Sequence, residues 1–156
     1  MKLAEALALR ADSARRIEQL RARVVSNARF QEGEEPAENA AALLAEAGEV
    51  LEDYEKLIRR INRTNAAARI GDDGTLTDAL ARRDALRLRH SLVTAAADAA
   101  AGKGQPGYAR QLRSELKMFS ALPVAELRGQ ADDLARELRE LDVRIQRSNW
   151  EVELLD

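Results

Sequence analysis

The chain has 156 residues, a formal net charge of -2 and no cysteine. The missing thiols exclude a disulfide framework, a thiolate zinc site and thiol catalysis, and the near-zero charge removes any global pull toward nucleic acid or anionic lipid. Aromatic residues make up 3% and charged residues 33%. Ala and Leu together supply roughly a third, a balance that suits long helices with coiled-coil-like seams and suits a β-sandwich or an aromatic-walled pocket poorly.

Four helical segments are predicted, with one domain over residues 1–156. The first covers residues 2–29, with Leu3, Leu7, Ile17, Leu20 and Val24 on one face. Glu5, Arg10 and Asp12 break up its apolar start, so no signal-peptide core is expected. No apolar run approaches the ~20 residues that span a bilayer, and a cytoplasmic protein is the expectation. Gly33 and Pro36, in an acidic stretch, end this helix.

The second helix covers residues 38–67. Leu44, Ala47, Leu51, Tyr54, Ile58, Ile61 and Asn65 step alternately by three and four, and Leu43, Val50, Leu57 and Thr64 adjoin them. Asp73-Gly74 has turn chemistry, and Thr77 is the predicted cap of the third helix. That helix carries Leu80, Ala81, Ala85, Leu88, Leu92, Ala95, Ala96 and Ala99. The glycines at 102, 104 and 107 end it.

Residues 108–122 have two solutions. Tyr108, Leu112, Leu116, Met118 and Leu122 alternate as in a short extended arm, the favoured solution, whereas Tyr108, Leu112, Leu116 and Phe119 fit a helix. The last helix starts with Pro123 at its first position. Val124, Leu127, Ala131, Leu134, Leu138, Leu141 and Ile145 then form an unbroken repeat that continues through Ser148 to Val152. The predicted fold is therefore mostly α, an antiparallel bundle of about four long helices.

Two helix ends echo each other. Leu57 to Asn65 aligns without gaps on Leu141 to Asn149, sharing Leu, Arg-Ile, an amide, Arg, a hydroxyl and Asn. A fainter version runs from Leu20 to Asn27. Asn65 and Asn149 are predicted C-terminal caps in the left-handed conformation, with Arg63 and Arg147 in the last turn. Thr64 and Ser148 continue the apolar seam, so their hydroxyls need buried partners. If two such ends converge, Arg60, Arg63, Thr64, Asn65, Arg144, Arg147, Ser148 and Asn149 make a candidate polar site.

No catalytic constellation is visible. The one histidine, His90, has Arg87 three residues before it, which excludes the paired Glu-x-x-His motifs of a di-iron bundle. A surface or boundary position is expected for it. Gly102-Lys103-Gly104 lacks the phosphate-loop order, and Asp72, Asp73 and Asp78 lack calcium-loop spacing. No cofactor and no metal are expected. Arg outnumbers Lys about fivefold, with Asp and Glu interspersed, which predicts ion pairs within and between subunits rather than a nucleic-acid surface. The tail from Trp150 is apolar at Val152, Leu154 and Leu155. It either packs on its own bundle or docks on a neighbouring copy with Trp150 as anchor.

The segments Asn27 to Pro36, Arg113 to Lys117, Leu57 to Asn65 and Leu138 to Trp150 together resemble those of a small bacterial family often labelled septicolysin. The resemblance covers nearly the whole chain. It implies a cytolysin and carries no catalytic residues. The residues themselves favour a structural or interaction protein that forms homo-oligomers, with no nucleic-acid partner and little scope for a membrane. A membrane-active, pore-forming protein is the alternative. A small-ligand or metal-binding protein comes third.

Overall fold

A computed structural model describes residues 1–103 and 116–156. Four long α-helices account for most of them: α1 (Leu3–Asn27), α2 (Ala40–Ala67), α3 (Leu76–Ala100) and α4 (Val124–Glu151). The mostly α prediction holds, and there is no sheet among the described residues. An isolated antiparallel bridge joins Lys2 and Glu153. The helices α2 and α4 have 28 residues each, about 40 Å at 1.5 Å per residue.

The chain divides into two compact units, Met1–Arg69 with Gln146–Asp156, and Ile70–Ile145. In the first, α1 and α2 pair antiparallel around Leu20, Leu43 and Ala47, with Val24 and Val50 against them. Ion pairs follow the same sense: Arg16 reaches Glu46 near mid-helix and Arg23 reaches Glu38 at the corner. The corner is also braced by Asn27, whose Oδ1 accepts from the Glu38 amide at 3.0 Å and whose Nδ2 donates to the Arg23 carbonyl at 2.9 Å. Asn39 caps α2 by accepting from the Ala42 amide at 3.0 Å. The face of α2 turned inward is Leu43, Ala47, Val50, Tyr54, Leu57, Ile61 and Thr64. That face joins Ala47, Tyr54 and Ile61 of the predicted leading stripe to the whole predicted adjoining one, while Leu44 and Leu51 are exposed.

In the second unit α3 and α4 pair antiparallel. Arg128 near the start of α4 meets Asp98 near the end of α3 at 2.7 Å, and Arg83 and Arg87 in the first half of α3 approach Asp142 in the second half of α4. The α4 seam is as predicted: Val124, Leu127, Ala131, Leu134, Leu138, Leu141 and Ile145 are all buried or half-buried. Pro123 stands one residue before its expected place, its carbonyl accepting from the Leu127 amide.

The α3 face is a correction. Its inner side is Leu76, Ala79, Arg83, Leu86, His90, Val93 and Ala97, in alternating steps of three and four, all buried or half-buried. Of the predicted residues, Leu80 and Ala96 are half-buried, while Ala81, Ala85, Leu88, Leu92, Ala95 and Ala99 lie on the opposite, exposed side. The inner seam tolerates Arg83 because its long stem packs while its guanidinium reaches toward Asp142. His90 takes the boundary position expected of it.

Thr75, not Thr77, caps α3. Its hydroxyl accepts from the Asp78 amide at 3.2 Å, and Asp78 Oδ2 accepts from the Thr75 amide at 2.8 Å. This reciprocal box starts the helix early enough to bury Leu76. The preceding turn needs glycine at 74, where φ is 85° and an added Cβ would stand 2.6 Å from Asp78 Oδ2. Tyr108, Leu112 and the rest of 104–115 lie outside the described residues. Residues 116–122 form neither helix nor strand, and all are exposed.

Candidate functional site

The echoed segments keep a common register in three dimensions. Ile61 and Ile145 are both 1% exposed, and Thr64 and Ser148 are both buried. Asn149 is buried and Asn65 half-buried. The two asparagines do not cap, however. The helices run on to Ala67 and Glu151, and no non-glycine residue described has positive φ. Consequently Arg63 and Arg147 sit before the final turn. Ala66 and Ala67 are strong helix formers, so nothing local stops α2 at Asn65. It ends instead at Ala68, whose ψ is 123°.

Within the first unit, Thr64 and Arg60 hold the chain's own tail. Thr64 Oγ1 donates to the Arg60 carbonyl at 2.8 Å and accepts from the Leu155 amide at 3.0 Å. Arg60 Nε donates to the Leu155 carbonyl and Nη2 to Asp156 Oδ1, each at 2.9 Å. The buried hydroxyl expected at this position thus has both partners it needs. The tail is held again from the other end of the chain. The Leu3 amide donates to the Val152 carbonyl and the Leu154 amide to the Met1 carbonyl, both at 2.9 Å. Lys2 Nζ lies 2.6 Å and the Met1 ammonium 3.0 Å from the Glu153 carboxylate. Lys2 first, and then the ammonium group, hold that carboxyl below the usual range.

Of the tail residues expected to dock, Leu154 is buried in its own unit and Val152 half-buried, while Leu155 and Trp150 are exposed, Trp150 at 63%. Arg147 pairs with Glu151 on an exposed face, at 2.7 Å. Arg144 belongs to the second unit, where it serves a different carboxylate. Two of the eight helix-end residues, Arg60 and Thr64, therefore hold the tail at Leu155 and Asp156. Replacing Thr64 by valine keeps the shape but orphans the Leu155 amide. The expected cost is about 1–3 kcal/mol, together with faster hydrogen exchange at Leu155 than in wild type. Unchanged exchange at that amide would show that the hydroxyl does not hold the tail.

The polar centre that sequence reasoning missed is Asp73. Its side chain is 6% exposed and accepts from Arg144 Nε at 3.0 Å and Nη2 at 2.7 Å, with Arg82 on its other oxygen. Burial works to raise this carboxyl, but Arg144 and Arg82 outweigh it and hold it below the ordinary range. The available signal was an acid in a glycine turn, followed nine residues later by an arginine.

Two open clefts lie elsewhere, one beside Asn27, Phe30 and Glu38, the other between the end of α3 and residues 118–122. None of the eight predicted helix-end residues lines either cleft. Among the described residues, no group of three or more acidic or histidine side chains is placed to hold a metal. Nor is any helix among them long and apolar enough to cross a membrane.

These features define a helical protein of paired long helices, in which Arg60, Thr64 and Asp73 anchor parts of the chain itself. A family model described as "Family of unknown function (DUF6847)" matches residues 10–154, and the chain belongs to that family. It is also similar to a crystal structure described as that of a functionally unknown conserved protein from Corynebacterium diphtheriae. The two share 41% identity over 99% of each chain, with a TM-score of 0.86. Comparison with the curated proteins finds no match. Neither match carries the septicolysin name that the sequence motifs resemble.

Proposed function

We propose that this protein is a helical interaction protein that self-associates through the outer face of α3. The observation that carries the proposal is the position of Leu88 and Leu92. They are 74% and 70% exposed on a well-formed helix, and they sit in a stripe with Ala81, Ala85, Ala95 and Ala99. The steps are four, three, four, three and four, the spacing of a coiled-coil seam. The same helix already buries its opposite face, so this second seam has no role in the α3 and α4 pair. Small residues along it permit close approach of another helix.

The test is native mass by light scattering over a concentration series, for wild type and for the Leu88→Glu/Leu92→Glu double variant. Wild type is expected to gain mass with concentration, and the variant to stay monomeric with unchanged helix content. A wild-type protein that remains monomeric throughout would refute the proposal, as would a variant that still assembles. Dye release from liposomes supplies the other arm, since a monomer that permeabilises lipid would favour the pore-forming alternative.

A further inference from the structure

The charges beside the outer seam of α3 specify a direction. On one flank stand Asp84, Ser91 and Asp98; on the other stand Arg82, Arg89 and Ala96. The two flanks therefore have opposite sign. Asp98 is engaged by Arg128, and Arg82 by Asp73, inside the unit. Asp84 and Arg89 remain beside the seam, both exposed, and among the described residues Asp84 pairs with its own-helix neighbours Arg83 and Arg87.

Resting on the self-association proposed above, we infer that the second copy packs its α3 parallel to the first about a two-fold axis, with Asp84 of each copy against Arg89 of the other. In a parallel pair the residue before one seam position faces the residue five further on in the partner, which joins acidic flank to basic flank on both sides. An antiparallel pair sets each flank against itself. With Leu88 opposite Leu92, it would bring Asp84 near Asp98 and Arg89 near Arg89, like against like.

The cysteine-free chain makes the test direct. Ala85→Cys and Ala95→Cys are made separately in the full chain, oxidised, and assayed for disulfide-linked dimer. In the parallel arrangement each variant cross-links to itself. In the antiparallel one, two copies of residue 85 lie about 15 Å apart along the axes, beyond the ~7 Å that a disulfide spans. Only a mixture of the two variants would then cross-link. Charge reversal gives an independent reading. Asp84→Arg and Arg89→Asp should each weaken dimerisation about three- to tenfold, and the double reversal should restore it.

Self-cross-linking of both variants with that pattern of loss and rescue is the expected result. Cross-linking in the mixture alone, or tighter dimerisation by Asp84→Arg, overturns the parallel arrangement and leaves self-association through α3 standing. An assembly by mass that cross-links in no combination overturns both, as does a monomer at every concentration.

Discussion

Replacing Ile61 by alanine is expected to destabilise the protein by about 2–5 kcal/mol, and Ile145→Ala by a similar amount. Each side chain is 1% exposed and stands at the matching place in the echoed segments, one turn before a buried hydroxyl. Removing three heavy atoms from such a site loses transfer energy and leaves a cavity that rigid neighbouring helices close only in part. Val143→Ala is the control, because Val143 is exposed on the same helix and should change stability by less than about 0.5 kcal/mol. Urea denaturation followed by circular dichroism measures all three. Equal effects at Ile145 and Val143 would show that the seam does not carry the stability of α4.

The second large effect belongs to Asp73 and depends on pH. Asp73→Asn removes the charge that two guanidiniums share in a nearly closed position, and at neutral pH it should cost about 1–3 kcal/mol. The folded-state pKa of Asp73 is lowered. Its contribution is therefore fully present above the unfolded carboxylate pKa and is lost as pH falls through the lower, folded value. The wild type and the variant should differ most near neutrality, and their melting temperatures should converge only in strong acid. Convergence already at mildly acidic pH would mean that Arg82 and Arg144 do not hold the carboxylate ionised. The carboxyl of Glu153 is also lowered, and it follows the same direction, its contribution fading as the tail contacts to Lys2 and the Met1 ammonium lose their partner.

How much could be read in advance varied by helix, for physical reasons. The seam of α4 was legible because its repeat from Val124 to Ile145 is apolar at every step and continues through the small hydroxyl of Ser148. That of α3 was not, because two of its seven inward positions are Arg83 and His90, while the outward side carries the cleaner apolar repeat. A hydrophobic pattern marks which residues avoid water, and it cannot say which of two such faces meets α4. The misplaced Thr77 cap has a similar cause: the deciding feature was the carboxylate of Asp78 reaching back to Thr75. The hydroxyls of the echoed segments were correctly expected to be buried, since both continue an apolar stripe. That Thr64 would be satisfied by an amide 91 residues away was not legible, because no local pattern encodes that pairing.

The contacts that tie the tail in place also differ from all others in their separation along the chain. The Arg23 and Glu38 pair spans 15 residues, the Arg16 and Glu46 pair 30 and the Arg144 and Asp73 pair 71, whereas the Met1 ammonium and Glu153 are 152 apart. Helical hairpins close short loops and gain contact area as they form, whereas the tail meets Met1, Lys2, Arg60 and Thr64 only by closing a loop of ninety residues or more. Docking of residues 152–156 is thus expected late in folding. A local opening of the tail is expected to precede global unfolding, and hydrogen exchange at Leu154 faster than that at Ile61 would show it.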